Sequence, residues 1–107
     1  MISAEWIKII RAWAEPVPSI SAVYLYGSWA KGTNHSESDV DLGVFLTEVG
    51  LDAEFIWYDF HTTWEQYLEG ALGCDVQLEL ANEEVSPNTV FPAVQEHGIQ
   101  IFKREAK

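Results

Sequence analysis

Asp39 and Asp41 stand two residues apart in the run DVDLGVFL. Aspartates at i and i+2 of a strand leave from the same face, roughly 6 to 7 Å apart at the backbone. Acids gathered on one sheet face repel one another unless something cationic lies between them. A hard ion such as Mg²⁺ suits the place, because it takes few protein carboxylates and fills its shell with water and substrate phosphates. The pair alone equally describes the solvent side of an amphipathic strand. The pattern recurs in CDVQLEL, where Asp75, Gln77 and Glu79 share one face, so that if the two strands are neighbours in one sheet their carboxylates share a face.

Before the pair lies a second feature, Gly27-Ser28, which closes the run SAVYLY and is separated from Asp39 by the ten residues WAKGTNHSES. A glycine at a strand end lets the backbone approach a ligand, and the two amides with the Ser28 hydroxyl suit phosphate oxygens. Lys31 is the only lysine or arginine between Arg11 and Lys103. It fits either a phosphate-neutralising role or a solvated loop position. His35, His61 and His97 are scattered, and solvated or structural roles are expected for them.

The elements that must position these groups follow closely along the chain. Trp6, Ile9, Ile10 and Trp13 recur at helical spacing within residues 3–14, and Pro16 and Pro18 end that helix. Residues 21–26 read as a largely buried strand, and 29–38 as a loop with room for one short helical turn. In the strand 39–46, Val40, Leu42, Val44 and Leu46 point to the core and Asp39 and Asp41 away from it. A second helix spans 52–70, with Trp57, Phe60, Trp64, Tyr67 and Leu68 on its apolar stripe. A strand at 74–80, a polar connection at 82–86, a helix at 88–97 and a short strand at 99–102 complete the order α-β-β-α-β-α-β. The expectation is an α+β (α/β) fold, a small mixed β-sheet with its helices packed on one face, in a single domain over residues 1–107.

Four of the five tryptophans lie on helix stripes and are expected in the core, whereas Trp29 follows Ser28 and fits equally a stack on a base or a brace for the loop. Cys74, the only cysteine, excludes an internal disulfide and any cysteine-rich zinc site, and reads as a small core residue. The formal net charge of −11, from 17 acidic and 6 basic residues, repels nucleic-acid backbones and suits a basic protein partner. The N-terminus lacks the pattern of a signal peptide, and no apolar stretch reaches membrane-spanning length, so a soluble, cytoplasmic protein is expected.

Taken together, YGSWAKGTNHSESDVDLGVF resembles the Gly-Ser-x10-Asp-x-Asp motif of the polymerase β-like nucleotidyltransferases, specifically their minimal stand-alone members. LANEEVSPNTVFPAVQEHGIQIF is similar to that family's closing helix and strand. Lysine replaces the family's frequent arginine before Gly32, which keeps the charge and loses the planar fork. The resemblance implies transfer of a nucleoside monophosphate, AMP from ATP, to an acceptor hydroxyl. In that family a third carboxylate lies on a later strand, where Asp75 is the preferred match and Glu79, on the same face, the second candidate; Asp39, Asp41 and Asp75 would hold two Mg²⁺ ions, and Gly27, Ser28 and Lys31 the phosphates. No acceptor domain is recognisable in the chain. Minimal members of this kind serve as antitoxins to all-helical HEPN toxins, which implies a toxin tyrosine as acceptor. Two alternatives stay open: an antitoxin that acts by occlusion alone, and an antibiotic-type transferase of small molecules.

Overall fold

The computed structural model describes residues 2–35, 39–85 and 89–105. The parts of the expected loop, connection and helix that fall on 36–38, 86 and 88 lie outside the described residues. The elements are α1 (Ala4–Ala14), β1 (Ile20–Tyr26), α2 (Gly27–Lys31), β2 (Val40–Leu46), α3 (Gly50–Leu72), β3 (Val76–Leu80), α4 (Val90–His97) and β4 (Ile99–Lys103). α1 starts where Ser3 Oγ accepts the Trp6 N–H at 3.1 Å. Its last carbonyls meet a distant side chain: Arg104 donates to Ala14 O at 3.1 Å and Glu15 O at 3.0 Å. No helix among the described residues is long and apolar enough to cross a membrane.

The four strands form one mixed sheet in the order β3-β2-β1-β4. β1 pairs antiparallel with both β2 and β4, and β2 pairs parallel with β3. The parity expected of β2 holds: Val40, Leu42 and Val44 are fully buried and Leu46 nearly so. With Val23 and Leu25 of β1 they meet Ile10, Trp13 and Ala14 of α1 and Ala53, Trp64, Leu68 and Leu72 of α3.

Two expectations change. The long helices α1 and α3 do share one face, but α4 lies on the other. There Val90 and Val94 form a second cluster with Ala81, packed by Tyr24, Tyr26 and Phe45. Gly43 makes this possible, because a Cβ there would come within 2.9 Å of Val94 Cγ2. On α3, Trp64 and Leu68 are buried as expected, yet Phe60 and Tyr67 are largely exposed. The buried stripe instead follows Ala53, Trp64, Leu68 and Leu72, with Trp57 half-buried against it. Trp6 and Trp13 join the core, and Trp29 packs on Trp6 at 5.3 Å between ring centroids, so Trp29 braces α2 against α1.

Asn82, read as part of a polar connection, is buried. Its Oδ1 accepts the Leu46 N–H at 2.8 Å, and its Nδ2 donates to Leu46 O at 3.2 Å and Glu48 O at 3.0 Å. It thereby closes the end of β2 in place of a neighbouring strand. Asn82→Ala leaves these buried groups unpaired and should cost about 1–3 kcal/mol. Urea unfolding should show a lower midpoint with an unchanged slope.

Candidate active site

β2 presents Asp41 on the face turned away from α1 and α3, directly across from Tyr26 in the antiparallel register. Asp39 is exposed at the start of the strand. On the other side of β2, Asp41 lies level with Gln77 of β3 and Gly43 level with Glu79. The Val40 N–H donates to Asp75 O at 3.0 Å, which sets Asp75 beside the Asp39 end. Both candidates for the third acid therefore flank the aspartate pair, Asp75 at the Asp39 end and Glu79 at the Asp41 end.

Of the two, Glu79 is the one whose charge bears on Asp41. Half-burial raises the pKa of the Asp41 carboxyl, and the charges of Asp39 and Glu79 raise it further. Burial likewise pushes up the Tyr26 phenol, with Asp41 and Glu79 adding to the effect. Gln77 Nε2 donates to Glu79 Oε1 at 3.4 Å. Asp39, Asp75 and Glu79 all line a groove of about 370 Å³ between β3 and α3. Along it, Glu69 Oε2 accepts the Val76 N–H at 3.2 Å and Glu65 Oε2 the Leu78 N–H at 2.9 Å, so α3 caps the outer edge of β3.

Gly27-Ser28, expected as a loop, opens the short helix α2, and this turn out of β1 stands against the carboxylate set. Gly27 has φ +73°, and a Cβ built on it would overlap Asp41 Oδ2. No other residue fits both the backbone angle and the space. Ser28 is half-buried in α2, and Lys31 is exposed at the last turn of that helix. The Gly27 N–H donates to His97 Nε2 at 3.2 Å, tying the end of α4 to the loop. Gly27, Ser28, Asp39 and Asp41 are thus brought together, with Asp75 and Glu79 alongside.

Tyr26 and His97 are the site neighbours that sequence reasoning missed. Alternation in SAVYLY places Tyr24 and Tyr26 opposite Val23 and Leu25, a signal that becomes legible once the core face of β1 is known. His97 carries no such signal, being 70 residues from Gly27 in sequence. Cys74 is partly buried against the core. Burial, then Asp75, Glu69 and Asp39, hold its thiol protonated, which does not suit a nucleophile.

Among the described residues no three His, Cys, Asp or Glu side chains converge closely enough to hold a metal ion by themselves. The donor chemistry nevertheless fits a hard cation. Asp41 is a half-buried carboxyl under pressure from two like charges, and an ion that takes few protein oxygens would relieve it.

The chain matches the family described as Polymerase beta, Nucleotidyltransferase over residues 8–107. It is 34% identical over 73 residues to the protein adenylyltransferase MntA of Shewanella oneidensis, a match over 66% of this chain and 47% of that protein. The chain therefore spans about half the length of this curated relative. A crystal structure of a toxin-antitoxin with AMP-PNP is similar at a TM-score of 0.68 and 26% identity, covering 94% of this chain and 74% of the other. The tri-AMPylated Shewanella oneidensis HEPN toxin in complex with MNT antitoxin provides a match in fold, with a TM-score of 0.59 at 22% identity over 94% of this chain and 71% of the other.

The raised Asp41 pKa has a consequence for stability. The native carboxyl binds its proton more tightly than the unfolded one, so its contribution favours the fold at low pH. That contribution is lost as pH rises through the raised native value. Asp41→Asn should therefore melt higher than the parent at pH 8 without divalent cations, and the gain should shrink at pH 4. Thermal melts of both proteins at the two pH values check this.

Proposed function

The chain belongs to the polymerase β nucleotidyltransferase family, and from that membership we propose that it is an adenylyltransferase. In this reading it moves AMP from ATP to a hydroxyl of a HEPN-type protein, as the antitoxin of a toxin-antitoxin module. The observation that carries the reading is the packing of the Gly27 backbone onto the Asp41 carboxylate, with Asp39 and Glu79 beside it. It puts the groups that this reading assigns to phosphate and to metal beside one another. Support for the substrate and the partner comes from the relatives: a protein adenylyltransferase, a toxin-antitoxin structure with AMP-PNP, and an AMPylated HEPN toxin held by its antitoxin.

The step is an in-line displacement. The acceptor oxygen forms a bond to the α-phosphorus as the α–β bridging P–O bond breaks, and pyrophosphate leaves. Asp39 and Asp41 are the residues to hold Mg²⁺, which when bound withdraws charge from the phosphates and the acceptor oxygen. The Ser28 amide and hydroxyl would hold the β- and γ-phosphates, Gly27, whose own N–H is taken by His97 Nε2, would let the backbone approach them, and Lys31 would add positive charge beside them. Asp75 is the third ligand in the sequence reading. The pressure of Glu79 on Asp41 and its hydrogen bond from Gln77 support Glu79 for that place, and for receiving the acceptor's proton.

Incubation with Mg²⁺, labelled ATP and the protein encoded next to this chain should label that protein, and this reading expects it to be of the HEPN type. Asp39→Ala or Asp41→Ala should lower the rate by at least 100-fold. Toxin inhibition without label would establish occlusion instead. Glu79→Gln should slow transfer more than Asp75→Asn, and the reverse order would restore Asp75 to the third position. Millimolar Mg²⁺-ATP should also raise the melting temperature of the chain alone, since a ligand bound only by the native state stabilises it by mass action. An unchanged melt excludes the adenine nucleotide.

A further inference from the structure

α3 exposes apolar side chains that its fold does not use. Leu51, Phe55 and Tyr58, at 67%, 64% and 82% exposure, recur at i, i+4 and i+7 and form one ridge on the first half of the helix. Large apolar groups in a contiguous exposed ridge mark contact surfaces, and this spacing is that of one helix laid against another. Through Tyr58 the ridge adjoins a cavity of about 260 Å³ whose lining includes Trp57, Tyr58, His61 and Glu79. That volume is below the range of nucleotide-sized pockets and matches a single inserted side chain. Trp57 and His61 are already stacked at 5.5 Å between ring centroids, and His61 Nδ1 is 2.8 Å from Trp57 O, so this wall is ordered before anything binds.

The sheet order gives the cavity its direction. The Gly27-Ser28 loop leaves β1 on one side of β2, and the α3–β3 cavity lies on the other, with Asp41 between them. In an in-line transfer the acceptor enters opposite the leaving pyrophosphate; with the phosphates held at Gly27-Ser28, that is the β3 side of Asp41, where Glu79 borders the cavity.

Charge identifies the occupant. From Gly32 to Phe102 the sequence has no lysine or arginine, while all of the 17 acidic residues except Glu5, Glu15 and Glu105 fall within that stretch. Asp52, Glu54 and Asp59 on α3, with Glu83 and Glu84 after β3, are exposed on the elements that bear the ridge and the cavity. A second copy of this chain would set acid against acid, whereas a basic surface is drawn in and held.

We propose that the ridge of Leu51, Phe55 and Tyr58 and the adjoining α3–β3 cavity dock a basic, apolar-faced helix of the acceptor protein, which places its modified side chain next to Glu79. The proposal rests on the adenylyltransferase reading for the identity of the partner, and its test separates the two. A photocrosslinking residue at position 58 of the full chain should capture the HEPN protein, and one at the exposed position 8 on α1 should not. Raising salt from 50 to 500 mM should reduce the capture at least tenfold. Phe55→Glu with Tyr58→Glu should raise the KM for the HEPN protein at least tenfold and change kcat by less than twofold, with the ATP-induced rise in melting temperature retained. Capture of a second copy, capture from position 8 alone, or an unchanged KM in the double variant overturns the docking surface. Capture from position 58 without AMP transfer by the parent protein overturns the adenylyltransferase reading and leaves the docking surface standing.

Discussion

The approach of the Gly27 backbone to the Asp41 carboxylate is the contact on which the candidate site depends. It requires a left-handed glycine at the exit of β1 and an aspartate on the adjacent strand, in a register that sets Tyr26 opposite Asp41. It also requires the loop to be held there. α4 does this from the carboxylate side of the sheet through His97, and α4 reaches that side because Gly43 leaves room for Val94. Two glycines, 16 positions apart in the chain, thus act on one place. One lets the loop approach the acid, and the other lets the supporting helix approach the sheet.

The same site strains the fold that carries it. Asp41 is half-buried with Asp39 and Glu79 pressing on it, an arrangement that favours a bound cation over the isolated chain. Stability comes from elsewhere. The apolar face of the sheet is sealed by α1 and α3, Asn82 closes the end of β2, and Glu65 and Glu69 cover the open edge of β3. Two arginines serve the framework: Arg104 ties the end of β4 to the C-terminal carbonyls of α1, and Arg11 donates to Ile101 O at 2.9 Å. The middle of the chain is left acidic, with no lysine or arginine between Lys31 and Lys103.

Much of this was legible from local patterns. Alternation in DVDLGVFL and CDVQLEL fixed which side chains of β2 and β3 face the core, because a strand's period is two and a one-residue slip would bury the aspartates. Trp6 and Trp13 followed from helical spacing. Phe60 and Tyr67 did not, because a stripe of this width on a 23-residue helix exceeds what the sheet and α1 can cover, and spacing alone does not say which edge is left over. The side taken by α4 was equally illegible, since its apolar positions are compatible with either face of the sheet.

The sequence by itself determined the element order, the core faces of β2 and β3, and the pairing of a glycine-serine turn with two aspartates, because these are set by residue type and short-range periodicity. Tertiary structure decided which of Asp75 and Glu79 presses on Asp41, that His97 holds Gly27, and that half of α3 keeps an apolar ridge in solvent. Those outcomes depend on strand register and on the area available for packing, quantities fixed by residues far apart in the chain.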